Sequence, residues 1–415
     1  MLRLLHTSDW HLGRRLYDIS CASAHRRFLN WLLDTLEAER IDVLLVAGDI
    51  FDQANPPADA LRLYYDFLGE CARRFTSLDV VIVGGNHDSP ARLDAPSALA
   101  TALGIRVVGG LPRDASGMPL PDQIIIPVTD ASGAVAARVL AVPFVRLADL
   151  RQLPGAGHAA RLRALYHSLA ARAEAIREPD QAIIAMGHLY TVGGELSELS
   201  ERRIQQGYIE AVSAELFPPS ISYAALGHLH RAQRVAGQER LAYSGSPLPM
   251  AFPERAYPHQ VRLVVLDGPV LQKTVPLRVP AFIRLEPIPV EHQPIDVVLG
   301  LLEAVPASEE GETGDPPLIE VRVALDHIEP ELRSRVEEAL HGRHAQLVRI
   351  DAVITGQDQP LAEQLEERRL ERLDPNEVFA ACWRRRFAED IPDDLHDRFA
   401  RLLEQVQGGD EGGAP

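Results

Sequence analysis

The stretch VVIVGGNHDSP, residues 80–90, decides how the rest of the chain is read. Val80 to Val83 form a short β-branched run of the kind that lies buried in a sheet. The chain then turns on Gly84 and Gly85 into Asn86, His87 and Asp88. Three polar side chains at the end of a buried strand are costly unless they have partners. Their partners must come from elsewhere in the chain, and the same pattern recurs there: an apolar run, a glycine, then a side chain able to bind a cation.

On either side of this stretch, the first 110 residues alternate apolar runs with amphipathic segments. LRLLHTS reads as a strand, AHRRFLNWLLDTLEAER as an amphipathic helix and DVLLVAGD as a buried strand. PADALRLYYDFLGECARR is a helix opened by Pro56 and Pro57, ARLDAPSALATAL a further helix and IRVVG a strand. This βαβ rhythm implies parallel strands covered by helices, with polar chemistry at the carboxyl ends of the strands. From about residue 120 the strands shorten (DQIIIPV, ARVLAVPF), and a long helix is expected near 159–177. QAIIAMGH, SYAALGH, LAYSGSP and QVRLVVLD are expected to complete a second sheet, with a polar loop at about 190–208. The Pro-rich VPAFIRLEPIPVEHQP marks a boundary near 278. A small α+β unit follows, with helices at IDVVLGLLEAV and PELRSRVEEALHG and strands at LIEVRVAL and AQLVRIDAVI. Beyond 360 the chain is helical and highly charged, and GGDEGGAP is expected to be disordered. The expected organisation is 1–277, 278–358, 359–406 and a tail at 407–415.

At 415 residues the chain exceeds one compact core. No apolar run approaches a membrane span, and the first motif begins within ten residues of Met1, so no signal peptide is expected. Cys21, Cys71 and Cys382 are odd in number and far apart. They fit neither a disulfide framework nor a CxxC metal knuckle, so the expected location is the reducing cytoplasm. The formal charge is −17, from 42 basic and 59 acidic residues. That balance argues against a protein held to nucleic acid by a basic surface alone. A polyanionic substrate needs bound cations or a partner to bring it here.

Five apolar runs end in the same class of side chain. They carry Asp9 and His11 in SDWHLG, Asp49 in AGDIFD, Asn86 and His87 in GGNHDSP, His188 in AMGHLY, and His228 with His230 in ALGHLH. Carboxylate, imidazole and amide oxygen together suit manganese, iron, zinc or magnesium, and lack the thiolates of a structural zinc site. In an extended segment the D-x-H and H-x-H spacings point both side chains the same way. Each piece has a plain reading by itself: a GD after a strand is usually a turn or helix cap, and a lone GH a satisfied core histidine. All five in order, each ending an apolar strand, make coincidence a poor explanation.

In that order (D-x-H, G-D, G-N-H-D, G-H, G-H-x-H) the chain resembles the calcineurin-like metallophosphoesterases. TSDWHLGRRLYD, GDIFDQANPP, FPPSISYAALGHLHRAQ and YSGSPLPMAF are similar to a branch of DNA nucleases that work beside a coiled-coil ATPase subunit. The similarity covers roughly residues 1–280, and beyond that it holds in layout. It implies an α/β fold, a four-layer α/β/β/α sandwich with a small α+β capping, DNA-binding domain and C-terminal helices that bind the ATPase. It implies two divalent metal ions, Mn2+ foremost. Asp9, His11 and His230 would hold one, Asn86, His188 and His228 the other, and Asp49 would bridge them. It also implies that His87 faces the phosphate, stabilising charge or protonating the leaving group, with Asp88 orienting its ring. The activity implied is ATP-dependent exonuclease action on duplex ends and endonuclease action on hairpins and single strands. The implied assembly is a homodimer within a heterotetramer, serving DNA repair, replication and recombination.

Two other readings share these motifs. A small-molecule phosphomonoesterase or cyclic-nucleotide phosphodiesterase would use the same site but need neither the capping unit nor the C-terminal helices. A metal-free scaffold would have lost ligands, and all seven positions are filled. Outside the site, Asp52 reads either as a turn residue or as one reaching the site through water. Arg14 and Arg15 read as phosphate contacts or as a solvated pair. Leu395, Phe399, Leu402 and Leu403 fall at helical spacing, an apolar stripe that needs a cover.

Overall fold

Val43–Ala47 is apolar at every position and buried at every position, which only a strand covered on both faces allows. The structure is a computed structural model. It describes residues 1–191, 211–308, 315–327 and 329–354, together with Trp383, Pro392, Leu395 and Phe399. Cys382, Leu402, Leu403, most of the expected 190–208 loop, the expected tail and nearly all of the expected C-terminal helices lie outside the described residues.

Leu2–Thr7, Val43–Ala47, Asp79–Val83 and Ile105–Val108 pair in parallel, in that order. The second sheet runs Gln233–Val235, Gln238–Tyr243, Tyr223–Gly227, Ala182–His188, Val135–Ala141, Ile125–Thr129, and its four inner strands are parallel. The sheets pack face to face through side chains such as Leu4, Leu45, Val81, Val139, Ile184 and Ala225. The alternate residues Leu44, Val46, Val80 and Ile82 face the helices Ala22–Ala38 and Ala58–Arg74, while Gly157–Ile176 covers the second sheet. The layers are α/β/β/α, as the resemblance implied.

Three elements differ from the sequence reading. QVRLVVLD (Gln260–Asp267) belongs to the first sheet, pairing antiparallel with Leu2–Thr7 and continued by Val270–Arg278. Both of its faces carry buried apolar side chains: Val261, Leu263 and Val265 enter the helix-side core, Val264 and Leu266 the core between the sheets. Beside Leu2–Thr7 both faces find a cover, and nearness in sequence to the second sheet has no bearing on that. ARLDAPSALATAL is two short helices, Pro90–Asp94 and Ser97–Ala102, parted at Pro96, which cannot donate the continuing hydrogen bond. The Pro-rich segment contains a strand, Leu285–Pro294, at the edge of a three-stranded sheet with Leu318–Leu325 and Gln346–Ile354. Prolines are tolerated at an edge, where no ladder needs their N–H. Helices Ile295–Glu303 and Leu332–Ala339 accompany that sheet. Among the described residues, no helix is long and apolar enough to cross a membrane.

Candidate metal centre

Parallel strands of both sheets end on the same rim, and there the backbone becomes strained. Asp9, His11, Asp49 and His228 adopt positive φ of 54, 47, 50 and 102°, a region that residues with a Cβ avoid. Asp9 and His11 are therefore not alternate residues of an extended segment, as their spacing suggested; they converge from a loop of left-handed turns. Backbone bonds from Asp9 N to Gly48 O (3.0 Å), His11 N to Asp49 O (3.0 Å) and Leu12 N to Ile50 O (2.9 Å) tie that loop to the one after Val43–Ala47. Two glycines make the approach possible. A Cβ on Gly48, itself at φ 88°, would stand 2.2 Å from His188 Nδ1, and one on Gly227 would stand 1.9 Å from Ala47 O.

The structure brings all seven expected positions together. Asp9, His11 and His230 offer ligand atoms within 4.8 Å of one another, as do Asp9, Asp49 and His188, and all are buried. Asn86 Oδ1 lies 2.9 Å from both His188 Nε2 and His228 Nδ1, and those two nitrogens are 3.3 Å apart. Asp49 Oδ2 sits 3.6 Å from His11 Nε2 and 3.4 Å from His188 Nε2, so this carboxylate reaches both groups.

These side chains fit a cation better than they fit one another. His188 Nδ1 donates to Ala47 O at 2.9 Å, which leaves Nε2 of the neutral ring as a bare lone pair aimed at the acceptor Asn86 Oδ1. Two acceptors at that distance need a proton or a cation between them. Both ring nitrogens of His11 are buried without a hydrogen bond. Burial pulls the His188 ring down, but the Asp49 carboxylate beside it outweighs burial and lifts it to about 9. Conversely, burial raises the Asp49 carboxyl, yet His188 and then His11 hold it well below the usual carboxylate range. Burial, with His188 next to it, pushes His228 down to about 3. The centre stabilises positive charge beside Asp49, the place where a divalent cation would take over from a proton. This is a divalent metal site.

Residues 2–232 match the calcineurin-like phosphoesterase family. Over 391 residues the chain is 38% identical to the SbcD component of nuclease SbcCD from Rhodobacter capsulatus, covering 92% of this chain and 94% of that protein. The chain belongs to the SbcD family of calcineurin-like phosphoesterases. The SbcD protein of Escherichia coli K12 is 31% identical over 417 residues, covering 97% of each chain. That of Bacillus subtilis is 36% identical over 271 residues, covering 63% of this chain and 66% of its own. Residues 285–387 match a second family, described as the type 5 capsule protein repressor C-terminal domain.

In this SbcD family member, the surroundings of the centre correct one expectation and add a residue. Asp88 does not orient the His87 ring. Its carboxylate accepts from three backbone N–H groups, Gly85 (2.8 Å), Ile50 (3.1 Å) and Phe51 (2.9 Å), and so pins the Asn86 turn to the Asp49 loop. Adjacency in sequence suggested a partnership, but the buried backbone donors had the stronger claim. Burial, then the nearby Asp49 charge, raises Asp88 to about 6. The ring of half-buried His87 is held instead by Asp52 O, 2.8 Å from Nδ1. Asp52, read as a turn residue or one near the site, stands beside it: its Oδ1 lies 3.0 Å from Arg14 Nη1 and 3.5 Å from His11 Nδ1. Glu254, which the sequence reading missed, is fully buried; its Oε1 sits 3.0 Å from His230 Nδ1 and its Oε2 accepts Met250 N at 2.8 Å. A carboxylate behind a histidine fixes its tautomer and turns Nε2 toward a metal. Its only signal was a lone acid in FPERA, within a short 3-10 turn.

Proposed function

We propose that this chain is the metal-dependent DNA nuclease component of an SbcCD-type complex, partnered by an SbcC-type coiled-coil ATPase. The observation that carries the reading is the convergence of seven ligand-type side chains from two sheets, in a chain aligned along 94% of its Rhodobacter capsulatus relative and 97% of its Escherichia coli one. Asp9, His11 and His230 would hold one divalent cation, Asn86, His188 and His228 a second, with Asp49 shared between them; manganese is the metal favoured. When bound, such a pair supplies Lewis-acid stabilisation of an in-line displacement and an acidified water. Asn86 contributes a neutral oxygen, leaving net positive charge for the phosphate. His87 donates Nδ1–H to Asp52 O, which leaves Nε2 to hold a proton at the leaving oxygen. Asp88 keeps that turn in place.

Residues 1–277 form the nuclease domain in this reading, 278–358 the capping, DNA-binding domain and 359–406 the ATPase-binding region. Exposed Tyr65 and Leu99, on helices that follow GDIFD and GGNHD, with exposed Leu103 just past the end of the second, support a homodimer face within a heterotetramer. A chromosomal substrate places the work, ATP-dependent exonuclease action on duplex ends and endonuclease action on hairpins, in the cytoplasm. A small-molecule phosphoesterase has less support, since residues 285–387 match a further domain that such an enzyme does not need. The test is an end-labelled hairpin duplex incubated with the full chain, with and without Mn2+, ATP and the ATPase partner. Metal-dependent cleavage, stimulated by ATP only when the partner is present, is expected. Hydrolysis of p-nitrophenyl phosphate with no cleavage of any DNA overturns the reading.

A further inference from the structure

A groove of about 520 Å3 opens beside the centre, lined by Gly85, Asp88, Val107, Phe144, Arg113 and Arg146 among others. Phe144 joins the two. Its backbone N–H donates to Gly84 O at 2.8 Å, and its ring stands edge-on to His188 at 6.3 Å and 83°. The groove's carboxylates are already engaged. Asp88 takes three backbone N–H groups, and Asp94 takes Gly109 N (2.6 Å) and Gly110 N (3.2 Å). Asp149 holds Arg113 at 3.2 Å and accepts the backbone N–H of Arg146 at 2.9 Å. The guanidinium of Arg146 is exposed and has no ion pair among the described residues. A half-buried aromatic ring therefore lies two residues from an uncommitted cation, at the edge of a phosphodiester-cleaving site.

Resting on the nuclease reading, we propose that this groove is a subsite for one unpaired nucleotide next to the scissile phosphate. The base stacks on Phe144 and the neighbouring phosphate meets Arg146. A cleft of this volume falls within the range of roughly 300–1,000 Å3 that takes a single small ligand. The strand must leave its partner at that nucleotide before it is cut.

The test uses the full-length protein with Mn2+, a single-stranded oligonucleotide and bis-p-nitrophenyl phosphate. Arg146→Glu should raise KM for the oligonucleotide roughly tenfold or more, from the loss of one charged contact. It should leave turnover of bis-p-nitrophenyl phosphate unchanged, and Arg146→Lys should restore most of the loss. In EDTA, oligonucleotide binding followed by anisotropy should show a log–log salt slope smaller by about 0.7 in Arg146→Glu. Phe144→Leu should raise KM roughly tenfold for an intact strand, but not for one abasic at the stacked nucleotide. Wild-type KM and salt slope in Arg146→Glu overturn the subsite and leave the nuclease reading standing. Equal loss on both substrates also overturns it, by placing Arg146 in support of the metal centre. A wild-type protein that hydrolyses the small diester and no oligonucleotide overturns the nuclease reading, and the subsite with it.

Discussion

Asp49 is the residue on which the electrostatics of the centre converge, with His11 and His188 both within 3.6 Å of its Oδ2. Asp49→Ala is expected to lose both cations by elemental analysis and to abolish cleavage more completely than loss of any one terminal histidine. Retention of two ions with normal turnover would sink the bridging role. In the proposed reading, His87 separates chemistry from metal binding. His87→Ala should keep its metal while cleavage falls about 10²–10⁴-fold, the range for a positioned acid or charge stabiliser. Loss of an ion in that variant makes His87 a ligand instead. A buried histidine away from the centre sets a pH dependence. Burial, then the Arg262 charge, pulls His6 from 6.5 down to about 3. The unfolded chain therefore binds a proton between these values that the folded protein refuses, and stability is lost as pH falls from 6.5 toward 3. The slope from this one group is about 1.4 kcal/mol per pH unit. Denaturant melts of His6→Gln across that window should be flatter by this amount, and parallel curves would show that His6 does not titrate so. The identities of the candidate ligand residues were legible in the sequence because each follows an apolar run. Their strained backbone was not, since a positive φ at a non-glycine residue leaves no mark in composition.

At the scale of elements, the centre depends on turns more than on strands. Glu254 belongs to the 3-10 turn Phe252–Ala256, and its carboxylate backs His230 from 24 residues downstream. Glu254→Gln removes that charge while keeping the side chain's shape, and manganese affinity by calorimetry should weaken about 10–100-fold. Unchanged affinity would make Glu254 merely a satisfied core acid. Gly227 shows how closely the two sheets approach at the rim. Gly227→Ala places a methyl against Ala47 O and should cost about 1–3 kcal/mol of stability by denaturant melt. A variant as stable as wild type would mean that the sheets can part there at no cost. The alternation of strand and helix over the first 110 residues was readable, because burial on two faces demands unbroken apolar runs. The place of Gln260–Asp267 was not: a strand with apolar side chains to bury on both faces fits any doubly covered slot, and only pairing with Leu2–Thr7 selects one.

Across the whole molecule, a net charge of −17 stands against a substrate that is itself a polyanion. Proteins hold duplex DNA chiefly by neutralising phosphates and releasing counterions, so an acidic chain needs help from bound cations and a partner. Removal of the residues after about 360 should spare manganese-dependent hydrolysis of bis-p-nitrophenyl phosphate. It should abolish ATP-stimulated duplex cleavage and co-purification with the ATPase partner. A truncated protein that still co-purifies and responds to ATP places the docking surface elsewhere.

The sequence by itself determined the α/β class, the alternation of its first 110 residues and the set of side chains able to hold metal, because burial and ligand chemistry act through residue type and order. Tertiary structure alone decided which carboxylate serves which histidine. Asp88 went to three backbone N–H groups rather than to its neighbour His87, and Glu254 to His230 across 24 residues. A buried donor or acceptor takes the nearest partner in space, and that distance exists only once two sheets have met at a common rim.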